Sequence, residues 1–107
     1  GIAPAAKIAF DDVGIEFQIF GQSISVGLSV PGDLYEHLFP HSYALGAKIH
    51  SNSWGSGTNE YDLQSSDIDK FVHENEDFLV LFAAGNSGPF NGTLGAPAGA
   101  KNILSIG

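Results

Sequence analysis

A chain of 107 residues with 43% hydrophobic content buries one modest core, which excludes two independent domains. Twelve acidic residues against four basic ones leave a formal net charge of -8, making nucleic acid and anionic membrane surfaces unfavourable partners. The absence of cysteine rules out a disulfide framework and thiolate metal ligation.

The acids are scattered, as on a solvated surface. Asp11 with Asp12, and Glu74 with Glu76 and Asp77, are the only short acidic groups, and neither has the spacing of a calcium loop. No metal and no cofactor are therefore expected. No apolar run reaches membrane-spanning length, so no membrane partner is expected. The chain opens at Gly1 and contains neither methionine nor a signal-peptide pattern, so it is expected to be part of a longer product.

In chain order, short apolar runs alternate with helical patterns, which predicts an α/β arrangement with buried parallel strands. Four runs have strand length: residues 6–10, 47–52, 78–84 and 103–106. The stretch 13–32 alternates small and apolar residues around glycines and is open to three readings: a hairpin, a loop or an extra edge strand. Leu34, Leu38 and Leu45 form a helical stripe, with Asp33 as a candidate N-cap and Gly46 as a stop. Pro40 predicts a kink or a late helix start within it. Between the second and third runs, Ile68, Phe71, Val72 and Asn75 share one helical face. Ser65 or Ser66 is the expected cap, with acidic residues favourable in the first turn. No internal repeat or interdomain linker is visible.

The run 78–82 ends abruptly in Ala83, Ala84, Gly85, Asn86, Ser87 and Gly88. Beyond the carboxyl ends of parallel strands, loops diverge and backbone groups become available to ligands. A side-chain amide there can donate to a developing negative oxygen, and small neighbours allow substrate close to the backbone. An isolated Gly-Asn pair, however, reads as a turn. A second strand end, Asn52, Ser53, Trp54 and Gly55, follows the run 47–52 and suits main-chain pairing with an extended peptide.

Together these segments resemble the subtilisin-like serine proteases (subtilases). The stretch Ala83 to Gly88 is similar to that family's strand ending in Ala-Ala-Gly-Asn, and Ser53 to Gly55 is similar to its strand end of Ser, a bulky residue and Gly. GIAPAAKI at 1–8 looks like the stretch after the catalytic histidine helix, and APAGAKNILSIG at 96–107 like the stretch after the oxyanion segment. The resemblance implies an α/β fold, part of a three-layer sandwich with a mostly parallel sheet. It implies Asn86 as the catalytic oxyanion donor, with Ser53, Trp54, Gly55, Ala83, Ala84 and Gly85 binding substrate.

The family's Asp, HGTH-type His and GTS-type Ser motifs are missing from this chain. The resemblance places it as a partial peptidase domain, 1–107, between the catalytic His and Ser segments of a parent. It also implies that the strand bearing the catalytic Asp lies between those matching residues 6–10 and 47–52. The implied partners are a peptide or protein substrate and the remainder of the parent domain. A secreted or extracytoplasmic location is likewise an implication of the family alone.

Without nucleophile and base, this chain alone is expected to be inactive. The alternative is a non-catalytic peptide-binding pseudoprotease module. A nucleotide-binding domain is disfavoured, because no glycine-rich phosphate motif follows a strand. His37 and His41 stand four apart, but Pro40 interrupts a helix there and no carboxylate completes a zinc motif; His37, His41, His50 and His73 read as ordinary polar or partly buried histidines. The serines lack a nucleophile-elbow pattern. Asn91, Gly92 and Thr93 form an N-glycosylation sequon, meaningful in a protein secreted from a eukaryotic cell.

Overall fold

The computed structural model describes residues 2–107, so Gly1 of the stretch 1–8 lies outside the described residues. The elements run β1 (Gly14–Ile19), β2 (Gln22–Leu28), α1 (Leu34–His37), α2 (Phe39–Ala44), β3 (Ile49–Asn52), α3 (Leu63–Glu74), β4 (Leu79–Ala83) and β5 (Leu104–Ile106). The last three strands form a parallel sheet in the order β3-β4-β5, and β1 and β2 form a separate antiparallel pair. This is the α/β class expected from the sequence.

The stretch 13–32 resolves into a hairpin. Its two tip residues, Phe20 and Gly21, both have positive φ (52° and 79°), the backbone that matches a tight turn to the twist of its strands. Ser29 N donates to Val13 O, closing its base.

The helical stripe splits in two. Asp33 caps α1 by accepting from Glu36 N at 2.8 Å, and Asp67 of α3 accepts from Leu34 N at 3.0 Å, so two acids satisfy amides that α1 cannot. Leu38, with φ -115°, interrupts the helix, and α2 restarts with Pro40 in its first turn, where a missing N–H costs nothing. Gly46 takes φ +89° and closes α2 as anticipated.

The start of α3 corrects the expectation of a Ser65 or Ser66 cap. Asp62 is the cap, and its carboxylate accepts from both Ser65 N and Ser65 Oγ at 2.8 Å. Ser65 lies inside the first turn, fully buried, and no acidic residue occupies that turn. An ionised oxygen is the stronger acceptor, and Asp62 followed three residues later by Ser65 was the overlooked signal. Ile68 and Phe71 of the predicted face are buried, with Val72 and Asn75 half-buried beside them.

One core forms between the helices and one face of the sheet: Leu34, Leu38, Phe39, Ile68 and Phe71 pack on Phe78, Val80 and Phe82. The aromatic rings of Phe39, Phe71 and Phe78 meet with centroids 5.3–6.0 Å apart, in tilted or edge-on contacts. Asp69 on α3 accepts from Lys101 N (2.8 Å) and Asn102 N (2.7 Å), tying the turn before β5 to the helix layer. The opposite face of the sheet carries Ile49, Leu79, Leu104 and Ile106, all between 43% and 65% exposed. The described residues thus make two layers, the sheet and one layer of helices.

Residues 6–10 form no strand, which corrects the first of the four expected strands. A strand exists only through a ladder to a neighbour, and this segment has none. It faces the free edge of β3 across a cavity of about 670 Å³ lined by Lys7, Ile8, Phe10, Asp11, Ile49 and His50. The resulting radius of gyration is 15.2 Å, against about 13 Å for a compact domain of this length. The isolated chain is therefore expected to unfold without a sharp cooperative transition or to self-associate. Sedimentation combined with thermal circular dichroism checks this, and a cooperative monomeric transition would contradict it.

Candidate functional site

The parallel register between β3 and β4 pairs Asn52 with Phe82, so the residues that follow leave the sheet side by side at its carboxyl edge. Ser53, Trp54 and Gly55 continue from β3, and Ala83, Ala84, Gly85 and Asn86 from β4. Two segments that are about thirty residues apart in the sequence are brought together by four ladder pairs. A cavity of about 300 Å³ opens between them, with Asn52, Ser53, Phe82, Ala83 and Ile106 in its lining.

Each segment is held by its own contacts. Ala84 N donates to Ile106 O at 2.7 Å, extending the β4–β5 ladder by one bond. Gly85 then takes φ +101°, a conformation that an L side chain rarely adopts, and turns the chain out of the sheet. Asn86 lies in the bend that follows, exposed to solvent.

On the other side, Trp54 stands edge-on to Phe82, centroids 4.9 Å apart at 83°. Its Nε1 donates to Asn52 Oδ1 at 3.2 Å, and Asn52 Nδ2 donates to Leu81 O at 3.1 Å. The indole is thereby fixed to β4 through the buried Asn52, while Ser53 and Gly55 remain exposed. Asn52 carries positioning that the sequence reading did not assign; a buried polar residue closing an apolar strand was the available signal.

The two ends are also tied through backbone. Gly95 N donates to Ala84 O (3.1 Å), Ser56 N to Ala96 O (2.8 Å), and Ala96 N to Thr58 O (2.7 Å). A Cβ on Gly95 would collide with the Ser56 carbonyl oxygen, and one on Gly55 would stand 2.9 Å from Ala96 O. Glycine is needed at both positions for main chain to approach main chain. None of these ties was read from the sequence, because the loop after Gly55 meets Gly95 and Ala96 from about 40 residues away.

The four histidines fall on four elements: His37 on α1, His41 on α2, His50 on β3 and His73 on α3. His41 and His50 nevertheless share one carboxylate. Asp11 Oδ1 lies 2.9 Å from His41 Nδ1, and Asp11 Oδ2 lies 3.5 Å from His50 Nε2. His50 packs edge-on against Phe39, at 5.1 Å, and its buried Nδ1 has no hydrogen-bond partner. Burial holds the His50 imidazole below the usual histidine range, with Asp11 acting in the opposite direction. On the rim of the same region, Lys48 pairs with Asp77 at 2.7 Å, which raises the lysine and lowers the carboxyl.

Comparison with known proteins assigns the fold to a family. The sequence model described as the subtilase family matches residues 1–107. The chain belongs to the subtilase family. It is 34% identical over 112 residues to the serine protease/ABC transporter B family protein tagD of Dictyostelium discoideum, covering 100% of this chain and 6% of that protein. It is 35% identical over 114 residues to the corresponding tagB protein of the same organism, covering 100% of this chain and 5% of that protein. The subtilase chain described here thus spans a small fraction of the length of the curated relatives it matches.

The depressed His50 value fixes a pH dependence. The folded state binds a proton at His50 less readily than the unfolded chain, whose imidazole takes one up near pH 6.5. The contribution of His50 to stability is thus complete above about pH 6.5 and declines as pH falls below it. In the domain carrying this chain, urea midpoints at pH 7.5 and 5.5 should differ less for His50→Gln than for the native sequence. Equal differences would contradict the assignment.

Proposed function

We propose that the parent of this chain is a serine endopeptidase that hydrolyses peptide bonds by acyl transfer, and that this chain supplies its oxyanion donor and substrate-binding edge. The observation that carries the reading is the shared carboxyl edge of β3 and β4, where Asn86 and Ser53 to Gly55 emerge from adjacent strands. Subtilase membership and the serine protease names of the relatives support the reaction class.

Asn86 Nδ2 would donate to the oxygen of the attacked carbonyl as negative charge develops on it. A donor already positioned needs no reorganisation at the moment of reaction, so its benefit falls on the transition state rather than on the bound substrate. Ser53 and Gly55 would offer main-chain groups to an extended peptide, which binds by strand addition with little dependence on sequence. Ala83, Ala84 and Gly85 would form the facing wall, their small size leaving room for one substrate side chain.

The nucleophile, its base and the orienting carboxylate would come from the remainder of the parent domain. That remainder would also supply an extended strand to the cavity beside β3, pairing with the free backbone of residues 49–52 and reaching the segment 6–10. His50 and Asp11 would then lie beneath it as structural groups. The isolated chain is accordingly proposed to be inactive, a fragment of the catalytic machinery.

In the parent protein, Asn86→Ala should lower kcat by about a hundredfold or more with KM little changed. Steady-state kinetics on a peptide substrate measures this, and unchanged turnover would remove Asn86 from the role.

A further inference from the structure

The connection from β4 to β5 carries one feature that the peptidase reading does not use, the sequon at Asn91, Gly92 and Thr93. Asn91 and Gly92 occupy an exposed turn, and Thr93, half-buried, follows it directly. Gly92 adopts φ +76°, and Thr93 Oγ1 donates to Phe90 O at 2.6 Å, so the threonine hydroxyl closes the turn. Asn91 is exposed, and Phe90 before it is 76% exposed.

We propose that Asn91 is a site of N-linked glycosylation in the parent protein. Asn91 Nδ2 would take the oligosaccharide from a lipid-linked pyrophosphate donor. The bond between the anomeric carbon and the phosphate oxygen breaks, a bond from that carbon to Nδ2 forms, one amide proton is lost, and the lipid pyrophosphate leaves.

The position of the turn gives the sugar a defined place on the molecule. A Cβ built on Gly92 would stand 3.7 Å from Asn59 Nδ2, and one built on Gly85 would stand 3.9 Å from Thr93 O. The turn therefore spans the gap between the loop after Gly55 and the loop bearing Asn86. The oligosaccharide would rise from the rim of the two strand ends rather than from the helix layer or the bare face of the sheet.

The test uses the full-length parent secreted from a eukaryotic host. Trypsin cleaves after Lys70 and Lys101, so Asn91 lies in the peptide 71–101, which contains no other lysine or arginine and no other sequon. That peptide is expected to carry a mass ladder of hexose and N-acetylhexosamine, and to emerge from glycosidase treatment with Asn91 converted to Asp. Asn91→Gln and Thr93→Ala should each abolish the ladder, while Thr93→Ser, which keeps the sequon, should retain it. Recovery of the native peptide wholly unmodified, or a ladder that survives Thr93→Ala, would overturn the assignment. The readout is mass alone, so it stands or falls separately from the peptidase reading.

Discussion

The parallel ladder between β3 and β4 is the constraint on which the rest depends. Four residue pairs, from Ile49 with Leu79 to Asn52 with Phe82, decide both faces of the sheet and its carboxyl edge together. A slip of one residue would invert the pattern: Val80 and Phe82 would leave the core, and Leu79 and Leu81 would enter it. The same slip would carry Ser53 away from Ala83. Core packing thus favours the alignment of the site, since Phe39, Phe71, Phe78 and Phe82 are buried together in this register.

That coupling explains which parts of the structure were legible in the sequence. The strands β3, β4 and β5 are short apolar runs bounded by small or polar residues, and each falls within a predicted span. The core face of α3 follows from the spacing of Ile68, Phe71 and Val72. Asp33 and Gly46 act locally as cap and stop, so local sequence sufficed to place them. Residues 6–10 have strand composition as well, yet composition is only half of a strand. The other half is a neighbour's backbone, and no local pattern records whether one is present. The cap of α3 was misplaced for a different reason, because serine and aspartate compete for the same role and the carboxylate prevails.

The candidate site divides in the same way. Asn86 and its small neighbours were visible as a strand end, and Gly85 as the residue able to turn it. What holds them was not visible. The Trp54–Asn52–Leu81 relay and the backbone ties through Gly95 and Ala96 link segments remote in sequence, using amides and carbonyls that every residue possesses. Such contacts leave no signature beyond a glycine where a side chain would not fit. The Asp11 pairing with His41 and His50 is likewise a meeting of a loop, a helix and a strand, and its residues read singly as a solvated acid and ordinary polar or partly buried histidines.

The clamp formed by Asp69 has a consequence for how still the site can be. Its carboxylate grips the amides of Lys101 and Asn102, 32 and 33 residues away, and so ties off a loop containing β4, Asn86 and the turn at Asn91. The entropy of such a loop grows only slowly with its length, roughly as the logarithm, so the length of chain enclosed matters less than whether the tie is made. The freedom of an exposed asparagine is set partly at its own backbone and partly at a helix on the far side of the core. Insertions or deletions between Gly88 and Leu94 would change the loop at small entropic cost, provided the anchor on α3 endures.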